Sequence, residues 1–248
     1  MTINDDAELE KLKEIGAIVA QCLRFMGEKL EPGMTTLDLD QLGEKFLEDH
    51  GAVSAPRTMY DFPGGTCISV NEEVAHGIPG ERRITAGDLV HIDVSAHKDG
   101  FYSDCGASFP MNAEDELDQR LCRATRRALR EAMRRARAGR PIRGAGKAME
   151  SVARRAGFGV IRNLGSHGLG RSLHEEPTFI PGFDDRNERR KFTEGMVITL
   201  EPFLTTGGPQ AETADDGWTL LNSEGSRTAQ FEHTMVITKG QPLVLTQP

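Results

Sequence analysis

Residues 89–108, LVHIDVSAHKDGFYSDCGAS, decide the fold. Apolar and polar residues alternate along the first half, which is the pattern of a half-buried β-strand. The Lys-Asp-Gly at 98–100 is a turn signal, so the segment predicts a hairpin whose second strand begins at Phe101. With the turn centred on residues 98 and 99, Asp93 on the first strand lies directly opposite Asp104 on the second.

This carboxylate pair requires something that offsets its repulsion. Directly opposed residues have Cβ atoms about 5 Å apart, and like charges there destabilise the sheet. Either one proton is shared between Asp93 and Asp104 or a divalent metal binds both. If the turn is centred elsewhere, both acids are instead solvated.

Three further residues extend the metal interpretation. Glu201 and Glu232 lie within apolar strand segments, where an unpaired charge is costly. His167 lies between glycines that let an imidazole approach a crowded centre. Carboxylates with one imidazole suit Mn²⁺, Fe²⁺, Co²⁺ or Zn²⁺, and four carboxylates suit two ions better than one. His76 and His174 also lie in glycine- or proline-bounded segments, where a structural role and an acid–base role both remain open.

The rest of the chain predicts an α+β fold in a single domain, residues 1–248, with no linker that would divide it. Apolar periodicity predicts helices at 7–30, from about 36 to near 51 (with a Thr35–Asp38 capping box), at 114–138 and at about 144–156. Strands are predicted at 67–71 and near 158–163, 195–202, 217–222 and 229–238, and loops at 54–66 and 77–88. Helices and hairpins recur roughly in both halves, which indicates two related lobes.

Composition and charge narrow the class of protein. The 248 residues carry a formal net charge of −8, which disfavours nucleic acid, DNA included, as the main partner. No apolar run approaches the roughly 20 residues of a membrane helix, and the acidic first ten residues are not a signal peptide. Four scattered cysteines without a CxxC pair are typical of free thiols in a reducing cytoplasm. We therefore expect a cytoplasmic protein, and a monomer because no long exposed apolar stripe is evident.

Five segments together resemble a known family: AHGIPG (75–80), HIDVSAHKDGFYSD (91–104), SHGLGRSLHEEP (166–177), TLEPF (199–203) and QFEHT (230–234). The set is similar to the type I methionine aminopeptidases, metallopeptidases of the pita-bread fold. The resemblance runs from about residue 7 to 240. It implies two pseudo-symmetric lobes with a curved antiparallel sheet covered by helices. It also implies removal of the initiator methionine from nascent polypeptides with a small second residue.

The resemblance assigns roles to the candidate residues. It implies two divalent ions (Co, Mn, Fe or Zn) held by Asp93, Asp104, His167, Glu201 and Glu232, with a hydroxide between the ions attacking the peptide carbonyl. Asp104 and Glu232 would bridge the ions, and Glu201 would also shuttle the proton. His76 would hydrogen-bond the scissile amide, and His174 the substrate carbonyl and the oxyanion.

The same resemblance implies a methionine pocket. Its residues here are Met59, Phe62, Cys67, His76, Leu173, His174 and Trp218. Met59 stands where many members have Tyr, and Leu173 where many have Phe. Ser166 stands where the family usually has Gly, and Pro56 replaces a small or thiol residue. A polarizable apolar pocket of the right length is what methionine requires.

Two other functions fit the same ligands. Xaa-Pro peptidases, or an aminopeptidase of broader specificity, share the dinuclear site, but Xaa-Pro enzymes usually carry an added N-terminal domain. Only 92 residues precede Asp93, and AHGIPG favours the methionine enzymes. A type II methionine enzyme would need a helical insertion for which the second half has no room. A non-enzymatic relative would have lost ligands, whereas all five are present.

An arginine-rich segment indicates a second partner besides the peptide. Residues 123–143 hold nine arginines and one acid, Glu131. One interpretation is the solvated face of an amphipathic helix. The other is a contact with ribosomal RNA near the exit of the nascent chain, which the implied task would suit.

Overall fold

The computed structural model of the chain describes residues 1–111, 116–223 and 225–247. Its helices are α1 Asp6–Lys29, α2 Thr36–Asp49, α3 Ala55–Tyr60, α4 Glu116–Met133 and α5 Arg143–Ala156. Its strands in the first half are β1 Val53–Ser54, β2 Cys67–Val70, β3 Glu73–Ala75, β4 Leu89–Lys98 and β5 Phe101–Pro110. Those of the second half are β6 Gly159–Val160, β7 Gly165–Gly168, β8 Glu175–Pro181, β9 Val197–Leu200, β10 Phe203–Thr205, β11 Glu212–Thr213, β12 Leu220–Leu221, β13 Thr228–Gln230, β14 His233–Val236 and β15 Leu243–Val244. The α+β composition matches the prediction.

The β4–β5 hairpin forms as predicted, but its register is two residues away from the predicted one. Asp104 pairs with Ser95, and Asp93 pairs with Gly106, so the two acids are diagonal neighbours rather than directly opposite. The turn is centred on Asp99 and Gly100, which have φ values of 51° and 80°. A two-residue turn of this kind needs positive φ at both positions, and Asp-Gly tolerates that better than Lys-Asp. Because a shift of two preserves the face, both carboxylates still lie on one side of the sheet.

The helices follow the predicted ones closely at most ends. The predicted Thr35–Asp38 capping box is present at the start of α2. Helix α4 ends at Met133, five residues before the predicted end at 138, and its predicted start at 114 lies outside the described residues. Beyond Met133 the chain continues in turns, with the N–H of Arg135 donating to Ala132 O, and the N–H of Ala138 then donates to Thr238 O. No helix in the described parts of the chain is both long and apolar enough to cross a membrane.

The sequence missed short elements. The predicted loop at 54–66 contains α3, which Ser54 caps and Pro56 helps to start. Six residues are too few to show a helical period. Strands β3, β7, β8, β10, β11 and β15 were also not predicted, and the strand predicted at 229–238 is divided into β13 and β14.

Of the three hydrophobic clusters among the described residues, the two larger lie mainly in the two halves of the chain. In the first, Leu12 and Val19 of α1 pack with Ile92 of β4. In the second, Ala128 of α4 and Leu200 of β9 belong to one cluster. The halves join where β5 meets the segment between β13 and β14.

Several hydrogen bonds make this join. The N–H of Glu232 donates to Gly106 O at 2.9 Å. The N–H of Asp104 donates to Thr234 Oγ1 at 3.0 Å, and the same hydroxyl donates to Asp104 O at 2.8 Å. Two acidic residues are thereby fixed at the boundary between the cores.

Candidate metal centre and active site

The structure brings the five predicted ligands together: Asp93, Asp104, His167 and Glu201 line a cavity of about 490 Å³, and Glu232 lies beside Asp104 and His167. The ligand atoms of Asp104, His167 and Glu232 lie within 4.8 Å of one another. His167 Nε2 is 3.6 Å from Glu201 Oε1 and 3.9 Å from Asp104 Oδ2. Asp93 shares a hydrogen bond with Asp104. The hairpin supplies two of these side chains, and three segments of the second half supply the others.

Backbone contacts hold Glu201 and His167 in this arrangement. The N–H of Glu201 donates to Ser166 Oγ at 2.9 Å, so the Ser166 hydroxyl anchors a candidate ligand here. Thr199 Oγ1 accepts from the N–H of His167 at 3.3 Å and lies 3.4 Å from Glu201 Oε1. A Cβ on Gly168 would lie 2.4 Å from Glu176 O, so only glycine lets β7 and β8 approach this closely.

The tautomer of His167 follows from its neighbours. Its Nδ1 lies 3.0 Å from the carbonyl oxygen of Gly168, which can only accept, so Nδ1 carries the proton. Burial lowers the pKa of His167 to about 3, and the ring is therefore neutral. The lone pair on Nε2 faces the carboxylates, which is the form that binds a metal.

The four acids carry an uncompensated electrostatic cost. Burial, with repulsion from the neighbouring carboxylates, raises the pKa values of Asp93, Glu201 and Glu232 well above their usual range. Burial also raises the pKa of Asp104. Among the described residues no lysine or arginine lines the cavity.

Two of these carboxylates have an oxygen with no partner. Asp93 Oδ1 and Glu232 Oε1 are both buried without a hydrogen bond from the described residues. A buried acceptor left in this way is costly, and a cation supplies both the charge and the missing contacts. The donor set of carboxylates with one neutral imidazole fits a divalent transition-metal ion.

Two further histidines project from glycine-containing segments into the same cavity. His76 has a φ of 55°, a backbone conformation that residues other than glycine rarely adopt. A Cβ on the next residue, Gly77, would lie 2.3 Å from Ile68 O, so this segment is pressed against β2. The His174 ring centroid is 4.2 Å from that of His167. Both predicted histidines therefore lie beside the candidate metal centre.

The predicted pocket residues Phe62, Cys67, Leu173 and Trp218 line the cavity. The Phe62 and Trp218 rings meet edge to face, with centroids 5.3 Å apart. Burial raises the pKa of the Cys67 thiol well above its usual range, so this side chain acts as a small apolar wall. The wall is apolar and polarizable, as a thioether side chain requires.

Met59 does not line the cavity, which differs from the prediction. Its side chain is 39% exposed, and its Sδ accepts a hydrogen bond from Tyr102 at 3.4 Å. Tyr60 lines the cavity instead, with its hydroxyl 2.7 Å from His174 Nδ1. Successive helical residues point about 100° apart, so one step along α3 exchanges an outward side chain for an inward one.

The sequence missed several residues around the centre. Ser95 Oγ donates to Asp104 Oδ1 at 2.8 Å, and Gln230 Nε2 donates to Glu232 Oε2 at 2.8 Å. Each lies two residues from a predicted ligand or directly opposite one. Since residues two apart on a strand share a face, that spacing is the signal that could have found them.

This fold and site define a class of protein. The model of metallopeptidase family M24 matches residues 10–239, and the chain belongs to that family. The chain is 49% identical to methionine aminopeptidase 2 of Bacillus subtilis over 248 residues, which covers all of both chains. It is 44% identical to a methionine aminopeptidase of Staphylococcus epidermidis, covering all of this chain and 99% of that one.

The fold comparison agrees. The crystal structure of methionine aminopeptidase from Thermotoga maritima matches all of this chain with all of its own, with a TM-score of 0.95 and 33% identity. The pita-bread fold expected from the resemblance is thereby confirmed. Membership of a metallopeptidase family also means that a divalent metal belongs to the site.

Proposed function

We propose that this protein removes the N-terminal methionine from polypeptides whose second residue is small. The observation that carries the proposal is the buried group of four carboxylates and one neutral imidazole beside the apolar Phe62–Trp218 wall. The relatives named methionine aminopeptidase, at up to 49% identity over the full chain, support the same activity.

Five residues would hold two divalent ions: Asp93, Asp104, His167, Glu201 and Glu232. When bound, the ions supply positive charge that polarises the peptide carbonyl and makes a water molecule more acidic. Co, Mn, Fe and Zn all suit this donor set.

The chain's own residues complete the reaction. Glu201, whose pKa burial raises, takes the proton of the attacking water and passes it to the leaving amine. His174 donates a hydrogen bond to the carbonyl oxygen as negative charge develops there. His76 hydrogen-bonds the scissile amide nitrogen. Asp93, at the cavity wall, lies where the free α-amino group of the substrate would bind, which restricts attack to the first peptide bond.

The apolar wall accounts for methionine selectivity. Phe62 presents its edge to Trp218, and the space beside the two rings is closed by Leu173 and Cys67. An unbranched thioether makes favourable contacts with aromatic rings, whereas a branched side chain of similar volume fits a narrow pocket less well.

The test uses protein stripped of metal by a chelator, with each divalent ion added back. Met-Ala-Ser and the matched peptide Leu-Ala-Ser are assayed in parallel. We expect metal-dependent release of methionine and little leucine. Equal cleavage of both peptides would replace the methionine-specific activity by a broader aminopeptidase. No cleavage with any ion, in protein shown to be folded, would contradict the proposal.

We further propose that the arginine-rich segment contacts RNA phosphates at the ribosome. The arginine-rich segment is only partly helical. Arg134, Arg135, Arg137 and Arg140 lie after the end of α4 and line a hollow of about 390 Å³. A concave group of guanidinium groups suits a phosphate backbone.

Charge reversal tests this contact. Arg135→Glu with Arg140→Glu should weaken ribosome binding in a salt-dependent way and leave tripeptide hydrolysis intact. The control is Arg24→Glu, which reverses an exposed charge on α1. Ribosome binding that both variants retain equally would contradict the contact.

We infer a cytoplasmic monomer in which residues 1–248 act as one catalytic domain. The four cysteines are free and buried, which suits a reducing compartment. Apart from Met59 and Tyr60, which are neighbours on α3, the large apolar side chains that are exposed in the described parts of the chain lie on separate elements, at Val53, Leu117 and Leu243. Light scattering after size exclusion should give a mass close to 27.2 kDa; twice that mass would contradict a monomer.

A further inference from the structure

A buried chain of side chains lies behind the candidate metal centre and takes no part in the mechanism described above. Gln230 is fully buried and His91 is 1% exposed. Gln230 Nε2 lies 2.8 Å from Glu232 Oε2 and 3.4 Å from Glu201 Oε2. At the other end of the same amide, Oε1 lies 2.8 Å from His91 Nε2.

Chemistry fixes the orientation of this amide. Carboxylates that bind a metal ion are ionised and only accept hydrogen bonds, so in the metal-bound site the NH₂ group of Gln230 must face Glu201 and Glu232. Its oxygen then faces His91, whose Nε2 must carry the proton. His91 Nδ1 is therefore a bare acceptor, and it is buried with no hydrogen bond from the described residues. His91 uses its one available proton on Gln230.

The backbone leaves a slot for this contact. A Cβ on Gly106 would lie 2.4 Å from Gln230 Oε1 and 3.0 Å from His91 Nε2. Gly106 is the strand partner of Asp93, and its carbonyl accepts from the N–H of Glu232. Because Gly106 has no side chain, the Gln230 amide and the His91 imidazole can pack directly behind the candidate metal centre.

We propose that His91 is a positioning residue for the metal centre, acting through Gln230. His91 holds the amide so that Gln230 Nε2 donates to Oε2 of Glu232. The other oxygen of Glu232, Oε1, then stays free to bind a cation. Without His91, the Gln230 amide can rotate and turn its oxygen toward the carboxylates of Glu201 and Glu232. The oxygen and the carboxylates would then repel each other, and the carboxylates would lose their fixed orientation. This inference rests on the proposed metal centre.

The experiment measures Co²⁺ binding to the whole protein by titration calorimetry and by the visible absorption of the bound ion, which reports ligand geometry. His91→Met removes the donor at similar length. His91→Gln is the matched control, because its amide nitrogen reaches about as far as Nε2 and can donate to Gln230. We expect His91→Met to bind Co²⁺ about tenfold more weakly with an altered spectrum, and His91→Gln to stay within about twofold of wild type.

A second variant keeps the test decisive if His91→Met does not fold. Gln230→Met removes the same contact from the other end and should lose about as much affinity, and the double variant should lose no more than either single one. Wild-type affinity and spectrum in the Met variants would overturn the inference, as would equal losses in His91→Met and His91→Gln. These measurements follow Co²⁺ binding and not peptide cleavage, so loss of the proposed methionine activity would not change them. A wild type that bound no Co²⁺ at this site would overturn the proposed metal centre and this inference with it.

Discussion

Replacing Asp93 by Asn should stabilise the metal-free protein while it removes the metal-dependent gain in stability. In the metal-free state the Asp93 carboxyl is surrounded by other acids, and burial raises its pKa well above the ordinary value of 3.8. An amide of the same shape carries no charge. It can donate to Asp104, which already shares a hydrogen bond with Asp93.

The magnitude follows from the linkage between proton binding and folding. A folded-state pKa raised above the unfolded value costs about 1.4 kcal/mol of stability for each unit of the shift once the pH exceeds both values. The amide of the Asp93→Asn variant is not ideally hydrogen-bonded and so recovers only part of this lost stability. We expect the free energy of unfolding of the metal-free variant to rise by about 2–3 kcal/mol. For a chain of this size that raises Tm by about 5–10 °C.

The sign of the pH dependence provides a second check. A raised folded-state pKa stabilises the fold below the ordinary pKa of 3.8, and this stability is lost as the pH rises through the folded-state pKa. The metal-free wild type should therefore lose more stability between pH 5 and pH 8 than Asp93→Asn. The difference between the two Tm values should grow with pH.

The assay is thermal unfolding followed by circular dichroism in excess chelator, and again with saturating Mn²⁺ or Co²⁺. A hundredfold excess of ion over its Kd stabilises the wild type by about 2.7 kcal/mol, and the variant should gain much less. Asp215→Asn, at an exposed acid, is the control and should leave Tm unchanged. A metal-free Asp93→Asn protein no more stable than wild type would refute the reasoning.

Two other substitutions probe the cavity. Tyr60→Phe removes the hydroxyl that lies 2.7 Å from His174 Nδ1. We expect kcat to fall about tenfold with little change in KM. An unchanged kcat in steady-state assays would show that the contact does not orient His174. Phe62→Ala removes the ring that packs against Trp218 in the apolar wall. We expect kcat/KM for Met-Ala-Ser to fall at least about tenfold, while kcat/KM for a peptide beginning with Ala falls less. Equal losses for both peptides would contradict a role in methionine selection.

The sequence predicted that the five candidate ligands would converge, which they do, but it predicted the geometry that joins them less well. Alternation along residues 89–108 was enough to place Asp93 and Asp104 on one face. The register was wrong because it depends on which two residues accept positive φ, and Asp99-Gly100 does so better than the preceding pair. The face survived this error only because the shift is an even number of residues.

Other differences have similarly local causes. The sequence did not reveal that Tyr60 rather than Met59 faces the cavity, because residues 55–60 form a helix too short to produce a detectable period. Helix α4 ends before the predicted position, and Ala138 beyond it bonds to residue 238, a partner 100 positions away that no local pattern reveals. Gln230 and His91 were overlooked because each looks like an ordinary strand residue until the two halves are brought together.

The most direct test of the metal centre is anomalous X-ray scattering from crystals grown with Mn²⁺ or Co²⁺. We expect two peaks about 3.5–4 Å apart, bounded by Asp93, Asp104, His167, Glu201 and Glu232, with one of them about 2.0–2.2 Å from His167 Nε2. A single peak among these residues would reduce the centre to one ion. Crystals soaked in excess ion that show no peak among the five residues would contradict the account.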